Sequence, residues 1–377
     1  MNDVYLQPRS PSIADAFSAA GYDTAYIGKW HVDGHGRSNA IPPERHLGFG
    51  YWKVLECTHN YNRSPYYAGD SDEKLVWEGY DAIAQTRDAQ SYIREHCEGD
   101  PFLLMLSWGP PHAPYDTAPE EYTSLYSPDD VVLRPNVPDS MAAEAREWLA
   151  GYYAHCSALD ACIADLLGTI RECGLEDDTV FVFTSDHGDM LGSQGEAKKQ
   201  RPWEESIRVP FLLRYPGLPG WDPRRSEALI DAQDVMPTLL GLCGLPIPDS
   251  VEGLDYSGHI RGGPDFSDGA ALLTCVHPFG QWQRERHGGR EYRGIRTHRY
   301  TYVRDLDGPW VLYDNTEDPY QLENLVDHPG SLPVRQKLDA LLDEKLEAND
   351  DAFLPGMDYI EQWGYTVDEN GTVPYTN

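Results

Sequence analysis

The sequence predicts an α/β protein in which helices sandwich a mostly parallel sheet, followed by a smaller C-terminal antiparallel α+β subdomain. Two observations support this fold class. Up to about residue 265, short apolar runs alternate with segments whose apolar residues recur at helical spacing, as in a parallel sheet covered on both faces. From residue 266, short β-like pieces separated by turn residues indicate a small antiparallel sheet. We therefore predict three segments: 1–265, 266–350 and a tail at 351–377.

The first elements alternate between helix and strand. A capping serine, apolar residues at helical spacing and Gly21 predict a helix over residues 10–20, and YDTAYIG predicts the strand that follows. Residues 32–80 are rich in Gly, Pro and aromatic residues, so we expect long surface loops there. A helix is expected at about 80–97. The continuous apolar run PFLLMLSW then predicts a strand buried on both faces.

The later elements follow the same reasoning. We expect a long helix over about 140–173, two strands in TVFVFTS and VPFLLRYP, and a short helix in DAQDVMPTLLGLCG. In the second segment, AALLTCV, YRGIRT, YTYVRD and WVLYDN are the predicted strands, and LPVRQKLDALLDEKLEAN is the predicted helix. The acidic, Gly- and Tyr-rich tail carries no pattern from which an element can be predicted.

Composition excludes several classes of protein. The formal charge of −32 over 377 residues disfavours nucleic acid, whose phosphates would be repelled. No apolar run reaches the ~18 residues of a membrane-spanning helix. Seven scattered cysteines without a CxxC pair argue against a zinc site or a disulfide framework. The first residues lack the pattern of a signal peptide, and both compartment and oligomeric state stay open.

Polar side chains with catalytic chemistry follow three of the predicted strands. Reactive groups gather at the carboxyl ends of parallel strands, so these side chains are expected to meet. They suit an anionic ester, with a metal on the Asp–His side and cationic donors around the other. The candidate residues are Lys29 and His31 in GYDTAYIGKWH, His112 in SWGPPHAP, Asp186 and His187 in TSDHGDMLG, and Lys199 in EAKKQRPW.

The same motifs, in this order and together with LYDNTEDPYQLENL, resemble the sulfatase family of the alkaline phosphatase-like superfamily. The resemblance implies a divalent metal, usually Ca²⁺ with Mg²⁺ or Mn²⁺ as alternatives, and a formylglycine nucleophile made from Cys or Ser. It also implies the residue roles. Asp186 and His187 would bind the metal, and Lys29 would bridge nucleophile and sulfate. His31 would be the base that breaks down the covalent intermediate, and His112 and Lys199 would hold the sulfate and assist the leaving group.

The chain departs from the family pattern in its nucleophile. None of its cysteines begins a CxPxR motif, and no SxPxR motif occurs. It offers the metal two ligands, whereas calcium takes about six to eight oxygens. Either Met1 is an internal residue of a longer sulfatase, or the chain is a non-catalytic relative; we favour the first. We expect the chain alone to be inactive, and poorly soluble or partly unfolded.

The predicted substrate is a small-molecule or glycan sulfate ester. The loop that begins at His31 is expected to shape the leaving-group pocket, with His35, Arg37 and His59 as substrate-binding candidates. Two other functions stay open. A phosphonate or phosphodiester hydrolase of the same superfamily is the enzymatic rival. A non-catalytic module that binds anionic glycans would keep the cationic residues but need no metal.

Overall fold

The first part of the chain is built on a five-stranded mixed sheet whose first strand in the sequence is parallel to both neighbours. The computed structural model describes residues 4–7, 11–34, 36–278, 288–368 and 373. The strand order is β4-β3-β2-β1-β5, with β1 parallel to β2 and to β5, and antiparallel pairing between β2, β3 and β4. The strands are β1 (Asp23–Lys29), β2 (Tyr51–Leu55), β3 (Pro65–Ala68), β4 (Leu75–Val76) and β5 (Phe102–Ser107).

Three of these strands lie where long loops were predicted, between residues 32 and 80, so that prediction was wrong in part. The strands are short, and β2 joins the sheet by pairing with β1: Ala25 lies beside Tyr51, across an intervening loop. Because the paired residues are far apart in the sequence, local composition does not indicate the pairing. Gly and Pro in the connecting turns dominate that composition.

Helices cover both faces of the sheet, which confirms the predicted sandwich. On one face, α2 (Asp81–His96) and α4 (Ala142–Glu172) pack their apolar side against Ile27 of β1. On the other face, α1 (Ile13–Ala19) packs beside Tyr26 and an aromatic cluster. The short helices are α3 (Glu120–Thr123), α5 (Glu204–Ile207), α6 (Val235–Leu242) and α7 (Ser257–Ile260).

A large cavity separates β5 from the next strand along the chain. The strand β6 (Phe181–Thr184) pairs antiparallel with β7 (Phe211–Arg214), and no described strand joins this ribbon to the main sheet. The cavity between them has a volume of about 1680 Å³ and is lined along β5 and β6 by apolar side chains. Met105 of β5 is 37% exposed, so this strand is not buried on both faces as predicted.

The C-terminal part contains a four-stranded antiparallel sheet, in agreement with the predicted fold class. Its order is β11-β10-β9-β8. The helix α8 (Leu332–Ala348) covers one face and buries Leu342 against Ile295, Tyr302 and Leu312. The strands are β8 (Ala270–Cys275), β9 (Tyr292–Thr297), β10 (Tyr300–Asp305) and β11 (Gly308–Asp314).

The tail contains one helix that the sequence did not indicate, α9 (Gly356–Gln362). An ion pair between Arg293 and Asp351 joins the start of the tail to β9. The predicted boundaries at residues 265 and 350 stay predictions. All seven cysteines are free thiols. Among the described residues, no helix combines the length and the apolar character needed to cross a bilayer.

Candidate active site

The carboxyl end of β1 presents Lys29 and His31. The chain stays beside β2 beyond the strand, because the N–H groups of Trp30 and His31 donate to the carbonyls of Leu55 and Glu56 at 2.8 and 3.0 Å. Gly28 allows this close packing. A Cβ atom there would lie 2.1 Å from the carbonyl oxygen of Ser107 on β5, and its φ of +108° suits glycine.

His31 is held as a neutral imidazole in a strained backbone conformation. Its φ is 56°, in the left-handed region that non-glycine residues rarely adopt. Burial, together with the charges of Lys29 and Arg37, lowers the pKa of His31 to about 4. A neutral imidazole can accept a proton, so the ring suits a general base.

Two buried carboxylic acids lie behind the His31 backbone. Glu56 accepts a hydrogen bond from the N–H of Asp33 at 3.1 Å, and Asp33 forms an ion pair with Arg45 at 2.7 Å. Burial, with the nearby Asp33, raises the pKa of Glu56 to about 8. Glu56 is therefore mostly protonated at neutral pH. Sequence reasoning missed this pair, because it treated the region as a surface loop.

His112 and Lys199 form a hydrogen-bonded pair, although they are 87 residues apart. The Nδ1–H of His112 donates to the carbonyl of Ala113 at 2.8 Å, which leaves Nε2 as an acceptor. The Lys199 ammonium donates to that Nε2 at 2.7 Å. Burial and the charge of Lys29 lower the pKa of Lys199 to about 8, and burial and Lys199 lower the pKa of His112 to about 3.

Asp186 and His187 follow β6 and turn toward each other. The Nδ1–H of His187 donates to the carbonyl of Gly188 at 2.8 Å, so its Nε2 keeps a lone pair and lies 3.6 Å from Oδ2 of Asp186. Burial alone would raise the pKa of Asp186, but His187 and Lys29 hold it below its usual value. The Asp186 side chain is 75% exposed, and this exposure is to the cavity, so solvent reaches it while protein surrounds it.

The donors of this pair fit one side of a divalent-metal site. A carboxylate oxygen and an unprotonated imidazole nitrogen are both metal ligands, and their separation lets one ion contact both. Among the described residues, no group of three or more His, Cys, Asp or Glu side chains is placed to hold a metal. The pair would thus supply part of a coordination shell, which waters, substrate oxygens or further carboxylates would complete.

Asp189 organises the segment between His187 and Lys199. Its Oδ1 accepts from the N–H groups of Leu191 and Lys198 at 3.3 and 3.0 Å, and its Oδ2 accepts from the Tyr115 hydroxyl at 2.7 Å. The sequence analysis did not identify Asp189, although it lies within the motif DHGDMLG. Its role depends on partners that the motif itself does not contain.

The cavity brings most of the predicted site residues together. Its wall includes Lys29, His31, His112, Asp186 and His187. Lys199 joins them through its contact with His112. The roles assigned to these residues stay predictions.

The three predicted substrate-binding residues differ in where they lie relative to the site. The ring of His59 stacks on His112 with centroids 5.3 Å apart and planes inclined by 7°. Arg37 is exposed on the loop after β1 and acts electrostatically on His31 and His59. His35 lies outside the described residues.

Two of the cysteines that line the cavity, Cys156 and Cys243, are poor nucleophiles. Cys156 lies on α4, and Cys97 and Cys243 follow α2 and α6. Burial raises the pKa of Cys156 to about 11 and also raises that of Cys243, so both thiols stay protonated near neutral pH. The described side chains bring two ammonium groups, a neutral imidazole and an Asp–His pair together, and this arrangement suits an anionic ester.

Comparison with known proteins gives consistent family matches. A sulfatase family model matches residues 1–245, and a model described as N-sulphoglucosamine sulphohydrolase, C-terminal, matches residues 192–348. The chain is 42% identical over 382 residues to an ulvan-active sulfatase of Formosa agariphila. That alignment covers 100% of this chain and 73% of the relative.

Two solved structures share the fold. One, from work on the metabolism of multiple glycosaminoglycans by Bacteroides thetaiotaomicron, has a TM-score of 0.82 at 28% identity and covers 95% of this chain and 80% of that one. The phosphonate monoester hydrolase of Agrobacterium radiobacter has a TM-score of 0.72 at 24% identity, covering 100% and 86%, which shows a common fold only. With a family model matching well over half of its residues and a sulfatase aligned along the whole of this chain, the chain belongs to the sulfatase family of the alkaline phosphatase-like superfamily.

Proposed function

We propose that this active site, when complete, hydrolyses sulfate esters carried by glycans. One observation carries the proposal: in a chain of net charge −32, Lys29, Lys199 and a neutral His31 gather with Asp186 and His187 around one cavity. Such a site favours an anionic group that a metal and ammonium groups can neutralise. The identity with an ulvan-active sulfatase supports a glycan as the carrier.

The lysines would neutralise the sulfuryl oxygens. Lys29 is the last residue of β1, so the sheet fixes the backbone from which its side chain extends. Lys199 is oriented by Nε2 of His112, which accepts one of its three protons and leaves two for the substrate. With its lowered pKa of about 8, Lys199 can also donate a proton to the leaving oxygen of the ester.

The neutral His31 would accept a proton during release of sulfate. Its backbone is fixed to β2, and its ring lines the cavity, so the acceptor nitrogen has a defined position. A divalent metal held by Asp186 and His187 would withdraw charge from the sulfate oxygens, with Ca²⁺ preferred and Mg²⁺ or Mn²⁺ as alternatives. A formylglycine would supply the nucleophile.

We also propose that the chain in this form does not turn over sulfate esters. Cys156 and Cys243 are protonated, and the Ser185 hydroxyl donates to the carbonyl of His187 at 2.8 Å.

Binding tests the proposed function without requiring turnover. Isothermal titration with a sulfated oligosaccharide and CaCl₂ should show saturable binding that Lys29→Met or Lys199→Met weakens about tenfold or more, because each change removes a charged hydrogen-bond donor. The matched control is Lys337→Met, which removes an exposed lysine on α8. Unchanged affinity in both site variants would contradict the proposal. Sulfate release from an aryl sulfate should stay at background.

The same titration addresses the two other functions. The shared fold with a phosphonate monoester hydrolase favours neither substrate, so a phosphonate monoester and a phosphodiester should be titrated beside the sulfate ester. Tighter binding of either would favour that rival. A non-catalytic glycan-binding protein would bind sulfated sugar equally well with and without the metal.

A further inference from the structure

Positive charge around His59 exceeds what one sulfate group requires. The charges that act most strongly on this ring come from Arg37, Lys29, Lys198 and Lys199, and all of them are positive. The chain as a whole carries 62 acidic and 30 basic residues. In a protein with so many acidic residues, a local cluster of positive charges indicates an anionic ligand. The number of cations in this cluster favours a ligand with more than one negative group.

The geometry places His59 directly beside the sulfate-binding residues. Its ring stacks on His112, and His112 in turn accepts the hydrogen bond of Lys199. His59 is exposed, so its outer face and ring N–H are open to a ligand. A group bound to His59 would therefore be separated from a sulfuryl group held by Lys199 by the ring of His112.

The loops that carry His59 and Arg37 are tied to each other and to the fold. The N–H of Cys57 donates to the carbonyl of Arg37 at 3.3 Å, and the Tyr67 hydroxyl donates to the carbonyl of Ser38 at 2.6 Å. After His59, the Tyr61 hydroxyl donates to the carbonyl of Ala113 at 3.1 Å. Both side chains therefore project from backbone with fixed positions, which reduces the entropy cost of binding.

The Arg37 guanidinium is exposed, and it makes no hydrogen bond or ion pair with a described residue. Other arginines near the site are paired, as Arg45 is with Asp33 and Arg134 is with Glu205. A guanidinium can form two parallel hydrogen bonds to a carboxylate or a sulfate. This arginine can meet such a group without giving up a partner in the described part of the chain.

We infer that Arg37 and His59 bind a second anionic group, a carboxylate or a further sulfate, on the same glycan as the scissile sulfate. The inference rests on the proposed function and makes the substrate class narrower: a polyanionic glycan instead of an isolated aryl sulfate. Lys29 and Lys199 take the scissile group, Arg37 forms the bidentate contact, and His59 adds a hydrogen bond and a flat surface for the sugar.

The test compares ligands that differ only in the second anion. Isothermal titration would use a monosulfated disaccharide with a uronate carboxylate, its uronate methyl ester, and a disulfated disaccharide, each with CaCl₂ at low salt. The unaltered chain should bind the uronate or the disulfate about tenfold or more tightly than the ester, as expected for a charge-assisted bidentate contact. Whichever of the two binds more tightly identifies the anion.

Arg37→Gln should reduce that preference to less than about threefold while leaving affinity for the methyl ester unchanged, because only the second anion loses its partner. The matched control is Arg63→Gln, which removes an exposed arginine on the neighbouring loop and should keep the full preference. Equal affinity for the uronate, the methyl ester and the disulfate in the unaltered chain would overturn the inference while the proposed function stands. If no sulfated ligand binds, both fall.

Discussion

The C-terminal sheet and the region between β5 and β6 show two different ways in which strands are placed in this molecule. In the C-terminal sheet, β8 is paired with β9 along its whole length, and Ile295, Tyr302 and Leu312 are fully buried beneath α8. Between β5 and β6 there is instead a cavity of about 1680 Å³, and Leu212 of β7 is 63% exposed beside it.

The polar loops above the cavity are nevertheless well connected. The N–H of Gly188 donates to the carbonyl of Ser206 at 2.9 Å, and a Cβ atom at Gly188 would lie 2.0 Å from the carbonyl of Glu205. Asp189 and Lys199 make the contacts described above. The comparison shows that two kinds of support hold the site: β1 and β2 hold Lys29 and His31, whereas contacts between loops hold the side that runs from Asp186 to Lys199.

The largest expected effect contrasts two leucines on strands. Leu312→Ala removes a side chain with 0% exposure and should lower the free energy of unfolding by about 3 kcal/mol, through lost burial and the cavity left behind. Leu212→Ala trims a side chain that already faces the cavity, and should cost less than about 1 kcal/mol. Urea denaturation followed by circular dichroism measures both.

If the free energy of unfolding fell by a similar amount in the two variants, the contrast between the two regions would be wrong. The space beside β7 would then be filled in solution. Fluorescence of a dye that binds exposed apolar surface gives an independent check. The unaltered chain should bind such a dye through the cavity, and Leu312→Ala should change that binding only where it unfolds the protein.

A smaller effect is expected from the buried acid behind His31. Burial raises the pKa of Glu56 to about 8 in the folded state, against 4.5 ordinarily, so the folded protein holds this proton more tightly. The stability that this gives is complete below pH 4.5 and is lost as pH rises through 8. Glu56→Gln should therefore flatten the loss between pH 5 and 9 and leave the variant about 2 kcal/mol more stable than the unaltered chain at pH 9.

Asp81 provides the matched control, since it lies at the start of α2 and burial also raises its pKa, to about 7. Asp81→Asn should flatten the pH dependence in the same direction. Only Glu56→Gln should also alter amide exchange at Asp33, whose N–H donates to this side chain. An unaltered pH slope in Glu56→Gln would show that the acid is already ionised at neutral pH.

The sequence predicts strands more reliably than it predicts their partners. Apolar runs identified β5 and β6 correctly, yet nothing in them indicates that β6 pairs with β7 and lies apart from β5. Pairing depends on which segments meet in space, and a local pattern describes only the faces of one strand. The pairing of the C-terminal strands is easier to predict, because each strand pairs with the next one along the chain.

The same distinction applies to the site. Lys29, His112 and Asp186 were identifiable because each follows a predicted strand within a motif of known order. Glu56 was not, because one acid among 62 carries no distinguishing pattern until the backbone of residue 33 is placed beside it. Residues whose function is to position others are recognised by their partners, and these are distant in the sequence.

The smallest expected effect tests whether loop contacts hold the site. Tyr115→Phe removes the hydroxyl that donates to Oδ2 of Asp189 and should cost about 1 kcal/mol of stability, the usual value of one such hydrogen bond. It should also speed amide hydrogen exchange at Leu191 and Lys198, whose N–H groups donate to the other oxygen of Asp189.

Tyr126→Phe is the matched control, because it removes a hydroxyl that bonds to Ser157 at 2.7 Å on α4, outside the 189–199 loop. It should cost a similar amount of stability and leave exchange at 191 and 198 unchanged. Equal exchange in the two variants would mean that the backbone carries this loop without Asp189. If only Tyr115→Phe speeds exchange, the position of Lys199 depends on two hydrogen bonds to Asp189. One comes from the Tyr115 hydroxyl, and the other comes from the N–H of Lys198, the residue before the lysine.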